Sequence, residues 1–178
     1  AGPAYGGSCF PKDTRALIDT ANRFKIDLSI VKKVVKSNEK RKLLLTNKVV
    51  KILNKNLKNK IITFFFLTFK PNTDDMREAS SIPMMNFLSK KNCKIRYFDP
   101  SGKKKELNKI KNVQFYKNIS SACFKSDLII IHTEWNVFKL LNFKNLVKKK
   151  NFSIYDMRNI YSPAKMKAMK IKYFGVGR

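Results

Sequence analysis

From residue 60 onward, short apolar runs alternate with segments of helical periodicity, and this alternation constrains the fold of the 178-residue chain more than any other feature. The apolar runs are rich in Ile and Phe and too short for buried helices, which indicates strands covered on both faces. They lie at residues 61–67, 93–98, 113–116, 127–132 and 152–155. Helices are predicted at residues 78–90, 119–124, 137–140 and 143–149. The alternation predicts an α/β fold with a doubly wound parallel sheet.

The first 59 residues have a helical pattern instead. One helix is predicted at residues 14–24 with Asp13 as its N-cap, and a second after Asp27 as N-cap, which can extend to Leu53. Apolar residues at steps of three and four give the second helix one buried stripe, with lysines on the other face. We therefore expect a helical domain at residues 1–59 and an α/β domain at residues 60–178.

A turn with the sequence GGSCFPKDT, at residues 6–14, indicates a chemical site. Gly6 and Gly7 let the backbone approach a ligand closely because neither carries a Cβ. Cys9 follows them, beside Lys12 and close to a predicted helix start, where a thiol can act as a nucleophile. The alternative from these residues alone is a cysteine that only packs, since free cysteine is among the most buried residue types.

This turn resembles the catalytic-cysteine motif of the UDP-glucose/GDP-mannose dehydrogenase family, and FPKDT favours the UDP-glucose branch over the GDP-mannose branch. Three further stretches match the family in order and spacing: LTFKPNTDDMRE at residues 67–78, TEWNVFK at 133–139 and DMRNIY at 156–161. The ending YFGVGR also resembles the family's C-terminus. The resemblance implies that the α/β domain is a Rossmann-like UDP-binding domain, and that the long second helix belongs to a central domain that forms a homodimer.

The family's reaction, as the resemblance implies it, oxidises the primary alcohol of a UDP-sugar to a carboxylate with two NAD⁺ in succession. Cys9 would hold the aldehyde as a thiohemiacetal and then as a thioester. Asp13 would assist water or proton transfer, a role compatible with a helix cap. Lys12 and Arg77 would contact NAD.

Four residues would contact the substrate if the resemblance holds. They are Gly6, Phe69, Lys70 and Arg158. Lys70 is placed to neutralise phosphate, and Arg158 lies in the family's D-G-R motif near the nucleotide. Glu134 and Trp135 belong to a signature whose expected role is mainly structural.

The family's NAD-binding domain precedes the cysteine motif, and no G-x-G-x-x-G pattern follows a strand in this chain. The expectation is the C-terminal part of a dehydrogenase, whether a truncation or half of a split enzyme, that reduces no NAD⁺ alone. Its partners would be a UDP-sugar, a second copy and the missing NAD-binding domain. The alternative is a nucleotide-sugar-binding or dimerisation module without chemistry.

Several positions depart from the family pattern. Phe66 and Met157 stand where the family has glycine, so a phenyl ring could crowd the nucleotide site. Val137 replaces an acidic residue, and Ala4 stands where glycine is common. These departures put the nucleotide geometry in question.

The formal charge of +27 suggests nucleic-acid or polyanion binding. Most of the 39 basic residues are lysines, however, whereas base recognition favours arginine, so a specific nucleic-acid site is disfavoured. The three cysteines and the single histidine, His132, have no metal-site spacing, which predicts no metal. No apolar run approaches the length of a membrane span, and the cytoplasm is the expected compartment.

Overall fold

The computed structural model describes residues 2–135, 138 and 141–177. Two helices come first: α1 (Cys9–Arg23) and α2 (Ser29–Ile52). The α/β part follows with β1 (Ile61–Phe65), α3 (Ser81–Lys90), β2 (Lys94–Phe98), a 3-10 turn (Lys105–Leu107), β3 (Val113–Phe115), α4 (Ile119–Cys123), β4 (Leu128–Ile131), α5 (Phe143–Val147), β5 (Ser153–Asp156), α6 (Pro163–Ala168) and β6 (Lys172–Gly175).

Within the described part of the chain, the six strands form one parallel sheet in the order β3-β2-β1-β4-β5-β6. This order confirms the prediction of a doubly wound parallel sheet. The order reverses between β1 and β4, and ligands of such sheets bind where this reversal meets the carboxyl ends of the strands. The segments that follow Phe65, Ile131 and Asp156 therefore flank the expected binding crevice.

Apolar side chains cover both faces of the sheet. The C-terminal half of α2 packs on one face together with α3, through Leu45, Val49 and Leu53. An aromatic cluster fills the other face. Because α2 shares the core of the sheet, this helix anchors the Cys9 end of the chain to the α/β part.

The predicted helix caps are wrong. Helix α1 begins at Cys9 rather than Thr14, so Asp13 lies in its second turn and does not cap it. Pro11 is the third residue of the helix, where a missing N–H leaves no hydrogen bond unmade. Asp27 does not cap α2 either, since Leu28 occupies the cap position.

Two element boundaries were predicted wrongly for a shared reason. Strand β1 ends at Phe65, before the predicted residue 67, because Phe66 has a positive φ of 53°. Helix α3 begins at Ser81 rather than Glu78, whose φ is 55°. Left-handed backbone interrupts both regular structures.

Helix α6, strand β6 and the 3-10 turn were not predicted from the sequence. The helix predicted at residues 137–140 lies outside the described residues except for Phe138. The other predicted strands and helices are confirmed to within two residues at either end. Among the described residues, no helix is both long and apolar enough to span a bilayer.

Candidate functional site

The turn before α1 is built from two glycines that pack against other segments. Gly7 has a φ of +86°, and a Cβ on it would lie 2.8 Å from the Phe69 ring. A Cβ on Gly6 would lie 2.7 Å from the carbonyl oxygen of Glu78. The Gly7 amide donates to the Arg77 carbonyl oxygen at 2.8 Å. The turn is thus held between Phe69 and the segment that carries Arg77.

Cys9 is exposed, whereas Cys93 and Cys123 are buried. Burial raises the pKa of Cys93 to about 11 and that of Cys123 to about 12, so those two thiols are unreactive at neutral pH. The Cys9 Sγ lies 3.6 Å from the Ser8 Oγ. Of the three cysteines, the exposed one is therefore the candidate nucleophile, and the interpretation of Cys9 as a packing residue is wrong.

A cleft of about 570 Å³ opens beside Cys9. Its lining includes Lys12, Arg15 and Arg77. Arg77 is also held by Asp75, whose Oδ1 and Oδ2 accept from its guanidinium at 3.0 and 2.9 Å. This contact raises the pKa of Arg77 and lowers that of Asp75. These three cations can attract an anionic ligand, although each is also paired with a carboxylate and one of these, Glu78, lines the cleft as well.

Asp13 is not among the residues that line this cleft. Its carboxylate is 65% exposed and lies 3.4 Å from the Lys12 Nζ. Because Asp13 comes four residues after Cys9 on α1, the two side chains share one side of the helix. The structure thus brings Cys9, Lys12 and Arg77 together and leaves Asp13 in solvent beside them.

Glu78 links the cleft to both helices. Its Oε1 accepts from Nη1 and Nη2 of Arg15 at 3.0 Å, and its Oε2 accepts from the Lys42 Nζ at 3.1 Å. Hydrogen bonds from these two cations oppose the desolvation of the carboxylate, and the pKa of Glu78 is lowered as a result. Glu78, Arg15 and Lys42 were not predicted as site residues, because they come from three separate segments and no local pattern reveals them.

Phe69 and Lys70 follow β1 at the carboxyl edge of the sheet. The Phe69 ring contacts the glycine turn, as described above, so the two regions form one continuous surface. The Lys70 Nζ lies 5.5 Å from the centre of the Phe69 ring, and Lys70 is exposed. The structure thus places Gly6, Phe69 and Lys70 along one surface that continues to the Cys9 turn.

Arg158 connects three strand ends to the N-terminal segment. Its Nε donates to the His132 carbonyl oxygen at 3.1 Å, and its Nη2 donates to the Phe69 carbonyl oxygen at 2.9 Å. It also forms a 2.8 Å ion pair with Glu134, and a Cβ on Gly2 would lie 2.6 Å from its Nη1. Burial lowers the pKa of Arg158, although not enough to remove its charge near neutral pH. Arg158 therefore adjoins Phe69 with two of its five N–H donors engaged in these hydrogen bonds.

The two large residues that replace glycine are both fully buried. The Phe66 ring stacks on Trp135, with 5.2 Å between ring centres, and contacts Phe138. Met157 lies in the core on the opposite face. Neither side chain projects into the cleft beside Cys9.

Among the described residues, no group of His, Cys, Asp or Glu side chains could hold a metal ion. The one histidine, His132, is fully buried and has polar partners in Ser80, which directly precedes α3, and Thr133, which follows β4.

Comparison with known proteins matches two family profiles. The profile described as "UDP-glucose/GDP-mannose dehydrogenase family, UDP binding domain" covers residues 65–163, and the central-domain profile covers residues 1–40. The chain is 40% identical to a UDP-glucose 6-dehydrogenase of Rickettsia prowazekii, over 99% of this chain and 42% of that protein. It spans about two fifths of the length of the curated relatives that it matches.

Solved structures agree with this match. A UDP-glucose dehydrogenase from Pyrobaculum islandicum has a TM-score of 0.81 at 26% identity, over 99% of this chain and 38% of that chain. An NDP-N-acetyl-D-galactosaminuronic acid dehydrogenase from Methanosarcina mazei Go1 has a TM-score of 0.86 at 22% identity, over 99% of this chain and 39% of that chain. The second similarity shows a shared fold.

Proposed function

The chain belongs to the UDP-glucose/GDP-mannose dehydrogenase family, and we propose that it forms the thiol-bearing, nucleotide-sugar-binding part of an NAD-dependent UDP-glucose 6-dehydrogenase. The observation that carries this proposal is the position of the exposed Cys9, in a cleft with three cations that continues to Phe69 and Lys70. A thiol that only packs would need neither the cations nor the exposure.

The cations of the cleft fit the pyrophosphate of NAD. Lys12 and Arg77 would hold it, since both are exposed and line the cleft beside the thiol. When bound, NAD⁺ supplies the acceptor for the hydride that the substrate carbon loses. The chain itself supplies the anion-binding groups and the nucleophile.

Cys9 would act on the aldehyde oxidation level of the sugar. The thiolate adds to the aldehyde carbon, the π bond of the carbonyl breaks, and its oxygen takes up a proton to give a thiohemiacetal. After oxidation the carbon remains on sulfur as a thioester. Water then attacks the thioester, the C–S bond breaks, and the carboxylate leaves while the thiol regains its proton. Asp13, one helical turn from Cys9, would accept a proton from that water.

We further propose that the nucleotide sugar lies along Gly6, Phe69, Lys70 and Arg158. Lys70 is exposed and free to approach a phosphate, whereas Arg158 is partly buried and has two of its five N–H donors on main-chain oxygens. Lys70 would therefore carry most of the charge neutralisation, and Arg158 would hold the shape of the surface. The glycine turn would bring main-chain groups against the sugar.

Titration calorimetry of this chain with UDP-glucose tests the binding site. We expect UDP-glucose to bind and GDP-mannose to bind at least about tenfold more weakly; equal affinity would favour another branch of the family. Lys70→Ala should weaken UDP-glucose binding about tenfold, because a charged hydrogen bond is lost. Lys94→Ala removes an exposed lysine at the start of β2, on the opposite edge of the sheet, and should change nothing. Absence of UDP-glucose binding would contradict the proposal.

The chemistry is tested by joining the chain to the amino-terminal part of the Rickettsia prowazekii relative and following NADH formation with UDP-glucose. The 178-residue chain alone should form none, and the joined protein should form NADH that Cys9→Ser abolishes. Cys93→Ala removes a buried thiol and should retain activity. Binding without Cys9-dependent NADH formation would support a module without chemistry instead.

A further inference from the structure

A line of hydrogen bonds crosses the carboxyl edge of the sheet and ends at the loop that carries Phe69 and Lys70. It begins at Ser80, whose Oγ lies 2.8 Å from the His132 Nε2. The His132 Nδ1 lies 3.1 Å from the Thr133 Oγ1, which donates to the Thr68 carbonyl oxygen at 2.5 Å. The Thr68 Oγ1 in turn donates to the Lys70 carbonyl oxygen at 2.9 Å. Ser80, Thr68 and Thr133 are all buried.

The direction of these bonds determines the tautomer of His132. A carbonyl oxygen can only accept, so the Thr133 hydroxyl uses its one proton on Thr68. The Thr133 oxygen is then an acceptor for His132, and Nδ1 must carry the ring proton. Nε2 is consequently the acceptor for the Ser80 hydroxyl. Burial, together with the nearby charge of Arg158, lowers the pKa of His132 to about 3, so that the ring stays neutral.

The loop at residues 66–70 depends on side chains from other elements for much of its geometry. The Leu67 amide donates to the Asp99 carboxylate at 3.3 Å, and the Leu67 carbonyl oxygen accepts from Ser81 at 2.6 Å. The Phe69 carbonyl oxygen accepts from Arg158. Between Leu67 and Phe69, which are held in these ways, the Thr68 carbonyl oxygen accepts from the Thr133 hydroxyl that His132 orients.

We propose that neutral His132 is a positioning residue for the nucleotide sugar, because its Nδ1–H aligns Thr133 to hold the Phe69–Lys70 loop. This inference rests on the proposed function, which makes that loop the substrate surface. A preorganised loop binds more tightly since less ordering accompanies binding. The Thr133 side of the ring fixes the tautomer and acts on the loop, whereas the Ser80 side only accepts a hydrogen bond.

Two amide variants separate the two sides of the ring. Asn places its amide near Nδ1, so His132→Asn keeps a donor toward Thr133 and loses the bond to Ser80. Gln places its amide near Nε2, so His132→Gln keeps the hydrogen bond to Ser80 and loses the hydrogen bond to Thr133. We expect His132→Asn to bind UDP-glucose within about threefold of the original chain, and His132→Gln about tenfold more weakly, the cost of one hydrogen bond. Equal affinities for the two variants, or the reverse order, would overturn the proposal.

Thr63→Val is the matched control for lost stability. Thr63 and Ser126 form another buried hydroxyl pair, with 2.7 Å between their oxygens, in the body of the sheet. We expect Thr63→Val to lower the melting temperature about as much as His132→Gln does, with no change in affinity. A loss of affinity in Thr63→Val that matches its loss of stability would show that His132 acts only on the fold.

Two measurements without nucleotide keep this test independent of the proposed function. Imidazole ¹⁵N shifts should show the Nδ1–H tautomer, and the Nε2–H tautomer would contradict the proposal. Exchange of the Leu67 and Phe69 amides should be about tenfold faster in His132→Gln than in His132→Asn, once corrected for global stability. Equal exchange rates in both variants would also contradict it. If these results hold but UDP-glucose does not bind, the proposed function fails while the role of His132 in the loop stands.

Discussion

His132 gives the stability of the folded chain a specific dependence on pH. Its pKa is lowered to about 3 in the folded chain, against about 6.5 when unfolded. Between these values the unfolded chain binds a proton that the folded chain does not, so stability falls as the pH falls below about 6.5. From pH 6.5 to pH 5 the expected loss is about 1.5 kcal/mol.

Urea unfolding at pH 6.5 and pH 5 measures this loss. His132→Asn should remove most of it, because the side chain no longer titrates. Cationic partners lower the pKa values of Glu78 and Asp127, so these two carboxylates lose their contribution to folding stability only below pH 5, outside the range that is measured. An unchanged pH dependence in His132→Asn would mean that other groups cause the loss.

Phe66 combines an unfavourable backbone with a well-packed ring. Its φ of 53° is strained for a bulky residue, while the ring is fully buried against Trp135 and Phe138. Phe66→Gly relieves about 1 kcal/mol of strain but loses about 3–5 kcal/mol of packing, so we expect net destabilisation of about 2–4 kcal/mol. Phe66→Ala keeps the strain and should be about 1 kcal/mol less stable than Phe66→Gly. Chemical denaturation of both variants checks this order, and a more stable Ala variant would contradict it.

At the scale of helices and strands, the buried core was predictable and the ends were not. The strand centres could be predicted because their apolar runs are stable only when they are buried away from water. Phe66 and Glu78 end their elements through positive φ values, and neither is a residue type that signals such a backbone. The beginning of α6 had a recognisable signal, since Ser162 caps it and Pro163 follows.

The candidate site shows the same division. Cys9, Lys12 and Arg77 could be predicted because they lie in motifs, and the fold places them in one cleft. Asp13 was predicted in the same motif, and it lies one helical turn from Cys9 without lining the cleft. Glu78 and His132 could not be predicted, because their partners are distant in sequence and meet only in the folded chain.

Glu78 should hold α1, α2 and the Arg77 segment together. The buried Lys42 ammonium contacts two carboxylates, that of Glu78 at 3.1 Å and that of Glu39 at 2.9 Å. Glu78→Ala removes the first and leaves only Glu39 as its ion-pair partner. We expect a loss of about 1–2 kcal/mol and faster exchange of the Gly7 amide. Glu39→Ala should cost no more than about 0.5 kcal/mol, because Glu39 is mostly exposed. Equal losses in thermal unfolding would show that Glu78 has no special role.

At the scale of the whole molecule, net charge opposes the association of two copies and exposed apolar surface favours it. The net charge of +27 makes two copies repel each other at low ionic strength. The α1–α2 hairpin nevertheless exposes large apolar side chains, among them Leu17, Phe24, Ile30 and Val34. Such a surface is typical of an interface, and we propose that a second copy covers it.

Salt distinguishes this dimer from binding to polyanions. Screening weakens the repulsion between two copies, so association through α2 should strengthen as salt is raised, whereas binding to a polyanion should weaken. Light scattering after size exclusion should show a mass near twice 20.7 kDa at high salt.

Val34→Asp should reduce the dimer to the monomer, because Val34 lies one helical turn from Ile30 on α2. Phe124→Asp alters an exposed apolar residue outside the hairpin and should leave the dimer unchanged. A dimer that survives Val34→Asp would place the interface elsewhere. Dissociation by added salt would mean instead that ionic contacts, rather than the apolar face of the hairpin, hold the two copies together.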